Sequence, residues 1–283
     1  MVFNGRYRKY LPKIPTDWMA FIFTLAMMHV VAAFELFVVL PYIDEKGGEA
    51  YWLHVVLGLF LYMNTMCSLY YCMFIDATSG DIVLPSILRP GWRFCSSCEA
   101  NAPPRSFHCW ICRRCILARD HHCVFTGNCI GHTNRRYFLL FVLNVWLGAT
   151  YSCFLHVDYV LEVLHGFTWQ ALVTMIAPMV TWTTGLSKDF NFLVSFISST
   201  TLIASLFVGL FFMYHLRNVL SGQTVHEKAN NIKDFDYGWR SNLEYVFGKN
   251  WKFAWISPLI TSPLPSDGIE HKRKGTMEEV KDI

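Results

Sequence analysis

Cys95-Ser96-Ser97-Cys98, His108-Cys109-Trp110-Ile111-Cys112-Arg113-Arg114-Cys115, Asp120-His121-His122-Cys123 and Cys129 place seven of the chain's ten cysteines within residues 95–129. A Cys-x-x-Cys pair sets two thiolates on one tight turn, which suits tetrahedral zinc at a Zn–S distance of about 2.3 Å. One such pair is weak evidence. Two pairs followed by further Cys and His at short spacing mark a metal-binding segment. This clustering belongs to metal and reactive thiols in a reducing compartment, not to a disulfide framework. A structural zinc takes four ligands, so two sites need eight. Cys95, Cys98, His108 and Cys115 complete one Cys-Cys-His-Cys set. Cys109, Cys112, His122 and Cys129 complete a second, interleaved with the first. Spacing alone also permits His121 in place of His122.

With eight ligands assigned, His121, Cys123 and His132 are left over. A free Cys beside a free His, preceded by Asp120, is a nucleophile, a base and an orienting acid. A thiol with an unperturbed pKa of about 8.5 is weakly ionised at neutral pH; an imidazole and positive surroundings lower that value. Arg113, Arg114, Arg119, Arg135 and Arg136 supply positive charge. The competing reading makes Cys123 another ligand or a spare buried thiol.

Outward from this segment the chain is apolar: 53% of its 283 residues are hydrophobic and 16% charged, against about 25% charged in soluble domains. Lipid is therefore the expected solvent for much of it. A spanning helix needs about 20 mostly apolar residues, and four runs qualify: Trp18 to Leu40, Trp52 to Ile75, Tyr137 to Val157 and Phe190 to Leu216. A fifth, Phe167 to Ser187, contains Pro178 at its middle and is rich in Thr. Lys and Arg number four before Trp18, one in 44–50, eight in 76–136, one in 158–190 and ten after Leu216. Positive loops stay cytosolic. The N-terminus (1–17), the central segment (76–136) and the tail (218–283) are thus predicted cytosolic, which requires two spans (18–75) before the centre and two (137–217) after it. Residues 161–189 then form a lumenal elaboration; the alternative is a fifth span and a lumenal tail. Glu35 in the first span falls about 25 Å from Trp18 at helical rise, near the lumenal headgroups. The expected fold is an all-α multi-pass membrane protein of four transmembrane helices, with a small zinc-stabilised cytosolic cysteine-rich domain between helices 2 and 3. No feature calls for nucleic acid.

Asp120-His121-His122-Cys123, in a cysteine-rich segment between two pairs of spans, resembles the DHHC-type protein S-acyltransferases (palmitoyltransferases). The resemblance covers nearly the whole chain and rests on about ten positions of the core motif. It implies the two Cys-Cys-His-Cys zinc sites, Cys123 as carrier of the acyl chain, His121 as base and Asp120 as the group that polarises it. Asn134 also fits the family pattern, as do Asn242 and Phe247-Gly248. Several positions depart from it. Thr224-Val225-His226-Glu227 replaces Thr-Thr-x-Glu and loses a hydroxyl. Val124-Phe125 stands for Pro-Trp, Gly127-Asn128 for paired Asn, and Asp76-Ala77-Thr78-Ser79-Gly80 for Asp-Pro-Gly.

The resemblance further implies a long-chain acyl-CoA co-substrate such as palmitoyl-CoA, substrate proteins with cytosolic juxtamembrane cysteines, and a location in endoplasmic reticulum or Golgi membrane. Arg119, Arg135 and Arg136 are candidates for holding CoA phosphates, or for plain headgroup anchoring. A 16-carbon chain is roughly 20 Å long, the height of about 13 helical residues. Counted from Arg136, that length ends near Gly148, the expected floor of an acyl cavity; close helix packing is the other explanation for this Gly. Two other functions compete: a non-catalytic zinc-stabilised membrane adaptor, and a redox protein using Cys109/Cys112 as a dithiol. The tail beyond Pro258, with His271-Lys272-Arg273-Lys274, is expected to be flexible near anionic lipid.

Overall fold

The computed structural model describes residues 10–44, 47–79 and 84–271. Among the described residues, four helices are long and apolar enough to cross a membrane: Pro15–Ile43, Glu49–Phe74, Arg135–Val163 and Asp189–Leu220. They match the four expected spans. The first is α-helical over Pro15–Phe34 (α1), widens to a π-helix over Glu35–Val39 and resumes over Leu40–Ile43 (α2). The others are α3 (Glu49–Phe74), α4 (Arg135–Val163) and α7 (Asp189–Leu220). Large apolar side chains such as Phe37, Leu53, Phe207 and Leu210 stay exposed on these helices, as lipid-facing residues do.

The run 167–187 is two short helices, α5 (Trp169–Ile176) and α6 (Pro178–Thr183). Thr168 caps α5, its side chain accepting from the Ala171 N–H. Pro178 has no N–H to donate, and Ala177 before it leaves the helical region at φ −136°, ψ 61°, as a residue preceding proline tends to do. The proline thus divides the run into pieces too short to span.

Contacts divide the chain into two units. One comprises Thr24–Thr65 and Val142–Phe212. Its core gathers Phe34, Val39, Val160, Leu164, Val194 and Ile197. Glu35, at the start of the π-helix, accepts from the Ser152 hydroxyl and meets His156 Nδ1 at 2.8 Å, so its partners are side chains of α4. The other unit comprises residues up to Phe23, Met66–Phe141 and the chain from Met213. It holds the cysteine-rich segment.

That segment forms three antiparallel hairpins: β1 (Arg93–Cys95) with β2 (Ala100–Ala102), β3 (Phe107–Cys109) with β4 (Arg114–Ile116), and β5 (His121–Cys123) with β6 (Asn128–Ile130). Their outer pairs are Arg93↔Ala102, Phe107↔Ile116 and His121↔Ile130, so one hairpin repeats every 14 residues. Each turns through a residue with positive φ at the same place: Glu99 (50°), Arg113 (54°) and Gly127 (63°). Cys95/Cys98, Cys109/Cys112 and Cys123/Thr126 occupy equivalent turn positions. The segment after α3 braces this array: Leu117 N–H donates to Ala77 O at 2.9 Å and Ser79 N–H to Cys115 O at 3.0 Å. Asn134 joins β6 to α3, its Nδ2 donating to Cys129 O (3.1 Å) and Cys72 O (3.2 Å). A side chain at Gly131 would collide with Leu117 O at 2.6 Å.

The chain beyond α7 returns onto the same unit. Thr224 and Glu227 form a capping box at α8 (Val225–Ala229). Arg105 clasps the Glu227 carboxylate with two bonds of 2.7 Å and donates to Gly222 O at 2.9 Å. Both side chains are 2% exposed. Asn242, on α9 (Trp239–Phe247), donates to Leu220 O at 2.9 Å. The chain past Pro258 is packed through His271, not loose: Ser262 O accepts from Arg136 and Ser266 O from His132. Lys272-Arg273-Lys274 lies outside the described residues. Breaking one half of a buried ion pair costs about 3–5 kcal/mol. Arg105→Ala is therefore expected to lower unfolding stability in detergent by about that amount, whereas the exposed Arg240→Ala changes it by less than about 0.5 kcal/mol.

Candidate active site

Side chains of a β-strand alternate between faces, and this alternation sorts the cysteine-rich residues. His108 pairs directly with Cys115 across β3–β4, and His122 with Cys129 across β5–β6. Each pair presents a His and a Cys to one face. Cys95 and Cys98 from the preceding turn join the first pair, and Cys109 and Cys112 join the second. Two four-residue clusters result, Cys95-Cys98-His108-Cys115 and Cys109-Cys112-His122-Cys129, with ligand atoms all within 4.8 Å of one another. The swap of His121 for His122 is not what forms.

The clusters fit zinc. Around a tetrahedral zinc with Zn–S of about 2.3 Å and Zn–N of about 2.0 Å, S and N lie about 3.5 Å apart. His108 Nδ1 is 3.2 Å from Cys98 Sγ and 3.7 Å from Cys95 Sγ. His122 Nδ1 is 3.4, 3.8 and 3.7 Å from the sulfurs of Cys112, Cys109 and Cys129. None of the ten cysteines is in a disulfide.

His121 and Cys123 flank His122 on β5 and take the opposite face. Cys123 is 4% exposed. In its hairpin the second turn cysteine is Thr126, whose Oγ1 is 3.4 Å from Cys123 O. Among the described residues no fourth hairpin follows to supply a His–Cys pair, and Cys123 belongs to neither four-residue cluster.

His121 Nδ1 lies 2.8 Å from Asp120 Oδ2. Phe138 and His215 pack against the ring, with centroids at 4.8 and 5.2 Å. Asp120 is 2% exposed and serves several partners. Arg135 Nη2 is 3.0 Å from its Oδ1, His215 Nδ1 is 3.5 Å from Oδ2, and the Val225 N–H donates to Oδ1 at 3.1 Å. Asp120, His121 and His215 also stand close enough to hold a metal, but Arg135 already neutralises the carboxylate.

These contacts set the charge states. Burial alone would raise the Asp120 carboxyl, but Arg135 and His121 outweigh it and hold it well below the usual range. Burial opposes the His121 imidazolium, yet Asp120 and Cys123 raise its pKa to about 9. Burial likewise pushes the Cys123 thiol up; hydrogen bonding and charge from His121, aided by Thr126, bring it below its ordinary value. A thiolate beside an imidazolium is the arrangement these shifts favour.

Of the three candidate phosphate ligands, Arg135 is corrected. It is buried at 4% exposure and committed to Asp120 and, at 2.7 Å, to Gln223 O, so it positions Asp120. Arg136 Nη1 donates to Ser262 O at 2.7 Å. Arg119 keeps a buried Nε without a hydrogen-bond partner among the described residues. At Gly148 an added Cβ would meet no heavy atom within 4 Å, so close packing does not explain this Gly. Thr126 and His215 escaped the sequence reading. The 14-residue repeat was the signal for Thr126; a lone His in an apolar span gave none for His215.

A sequence model of the DHHC palmitoyltransferase family matches residues 89–232, more than half of the chain. The chain belongs to the DHHC palmitoyltransferase family. Among its relatives, probable palmitoyltransferase ZDHHC24 of Danio rerio is 37% identical over 195 residues, covering 69% of this chain and 66% of the relative. Palmitoyltransferase ZDHHC22 of Homo sapiens is 31% identical over 250 residues, 83% of this chain and 89% of the relative. Probable protein S-acyltransferase 12 of Arabidopsis thaliana is 33% identical over 170 residues, 59% and 53% of the two chains. The ZDHHC24 matches span just under two thirds of those relatives' length.

The family's second Thr is Val225 here, and its contact with Asp120 runs through the backbone, which any residue but proline supplies. Val225 is the first residue of α8, where proline is tolerated apart from its missing N–H. Val225→Pro is therefore expected to preserve folding and to slow self-acylation by about tenfold, the scale of one hydrogen bond to a charged group. Val225→Thr stays within about twofold. Acyl-CoA label incorporation into purified protein checks both.

Proposed function

We propose that this chain is a protein S-acyltransferase that moves a long-chain acyl group from acyl-CoA to cysteines of other proteins through an acyl-Cys123 intermediate. The observation that carries the reading is Cys123, excluded from both zinc clusters and sharing a strand face with an Asp120-oriented His121. The Cys123 thiolate attacks the thioester carbonyl, the carbon–sulfur bond to CoA breaks, and CoA leaves as a thiol with the Nε2 proton of the His121 imidazolium, which leaves His121 neutral. A substrate cysteine then attacks the acyl-Cys123 thioester. His121 accepts its proton through Nε2, and Cys123 is released as thiolate. Asp120 fixes the His121 tautomer by holding the Nδ1 proton, and Arg135 and the Val225 N–H hold Asp120. The metal, when bound, would supply a rigid frame rather than chemistry: Cys95, Cys98, His108 and Cys115 would hold one ion, and Cys109, Cys112, His122 and Cys129 the other.

The distribution of Lys and Arg supports a cytosolic active site, with the N-terminus and tail on the same side. Substrates would then be proteins with cytosolic cysteines near the bilayer, and Arg119 is the guanidinium best left to meet a CoA phosphate. Gly148 stands 12 residues beyond Arg136 on α4, about 18 Å at helical rise, near the reach of a 16-carbon chain. Its vacant surroundings suit a limit on chain length set by the side chain at this position.

Incubation with a series of acyl-CoAs, with and without hydroxylamine, tests the reading. The intact chain takes up hydroxylamine-labile label, Cys123→Ser takes up none, and Gly148→Tyr shifts the preferred chain shorter by several carbons. Label on Cys123→Ser equal to that on the intact chain rejects the mechanism. An unchanged chain-length profile removes Gly148 from it.

A further inference from the structure

Asp17 lies in the first turn of α1, where the first membrane helix begins, and is 0% exposed. A carboxylate buried this deeply needs a partner. Its partner is His122: Oδ2 is 3.1 Å from His122 Nε2. The other ring nitrogen, Nδ1, faces the sulfurs of Cys109, Cys112 and Cys129. A histidine that ligates through one nitrogen must keep its proton on the other, and a carboxylate accepting that proton fixes both tautomer and ring direction.

The chain just before Asp17 reinforces this contact. Asn128, in β6, donates from Nδ2 to Tyr10 O at 2.8 Å and accepts from Lys13 Nζ at 2.8 Å. Pro12 lies against Gly127, where an added Cβ would meet it at 2.6 Å in a backbone already at φ +63°. Residues 10–17 thus form a strap across the β5–β6 hairpin. Tyr10–Ile14 and Trp18 also wall a cleft of about 980 Å³ that Cys112 and Cys129 line from the other side.

The first cluster has no such support. His108 Nδ1 faces Cys95 and Cys98, its ring packs edge-on against Trp110 at 4.7 Å, and no carboxylate meets its Nε2 among the described residues.

We infer that Asp17 is the carboxylate that orients His122 on its metal, so that the start of the first membrane helix is part of the second zinc site and the two sites hold zinc unequally. The inference rests on the reading of both clusters as zinc sites. It makes Asp17 a positioning residue: the hairpin that carries His121 and Cys123 is fixed on its reverse face by a ligand this helix holds in place. Loss of such a partner commonly weakens metal binding tenfold to a hundredfold.

Zinc content and the rate of zinc transfer to a chromogenic chelator, measured on the full purified chain in detergent, test this without reference to activity. The intact chain is expected to hold two zincs and release them in two phases, with His108→Ala deleting the fast one. Asp17→Ala should accelerate the slow phase tenfold or more and leave the fast phase unchanged. Asp17→Asn, which keeps an acceptor oxygen but no charge, should accelerate it less. Wild-type release rates in Asp17→Ala overturn the inference. Should Asp17→Ala fail to fold, Asp17→Asn decides: faster slow-phase release upholds the role and a wild-type rate overturns it. An intact chain free of zinc rejects the zinc reading itself, a separate outcome.

Discussion

Successive side chains of a β-strand point to opposite faces, and β5 applies this rule to three consecutive residues with different tasks. His122 faces the sulfurs of Cys109, Cys112 and Cys129. His121 and Cys123, one residue to either side, face the other way. The same alternation that delivers a histidine to a closed metal cluster therefore withholds the neighbouring thiol from it. A one-residue slip of β5 against β6 would exchange the faces. A metal held by both His122 and Cys129 would oppose that slip, so that one contact would secure register and chemistry together.

Around that strand the polar contacts converge on Asp120. Arg135 brings the start of α4 to it, His215 the end of α7, and the Val225 N–H the turn beyond, itself clamped by Arg105 on Glu227. A carboxylate buried among these partners stays ionised and orients His121. The surroundings of the Cys123 thiol, the proposed nucleophile, are thus set by elements far apart in sequence that meet at one side chain. This also accounts for the altered Thr-Thr-x-Glu motif: Thr224 and Glu227 build the capping box, while the intervening position contributes only its backbone.

Much of this was legible in the sequence. Four apolar runs gave four spans, Pro178 marked the broken fifth run, and Cys and His spacing proposed two four-residue clusters with one histidine left open. Spacing could not choose between His121 and His122, because adjacent residues have nearly equal reach along the chain; strand pairing chooses. The 14-residue repeat through Cys95, Cys109 and Cys123 was present in the sequence, and it explains why a Thr126 in place of a third turn cysteine spares Cys123. Contacts that depend on tertiary approach were not legible. Arg135 read as a surface cation but is buried on Asp120. Nothing in the sequence singled out Asp17, yet it meets His122, 105 positions away. The tail past Pro258 read as polar and loose, although Arg136 and His132 engage its carbonyls.

Zinc K-edge X-ray absorption on purified protein, intact and with Cys123→Ala, tests the separation of metal from nucleophile most directly. The account predicts an average shell of three sulfurs and one nitrogen at about 2.3 and 2.0 Å, with two zincs per chain, identical in the two proteins. A change of sulfur number or zinc content on removing Cys123 would mean that this sulfur is a ligand, and would contradict it.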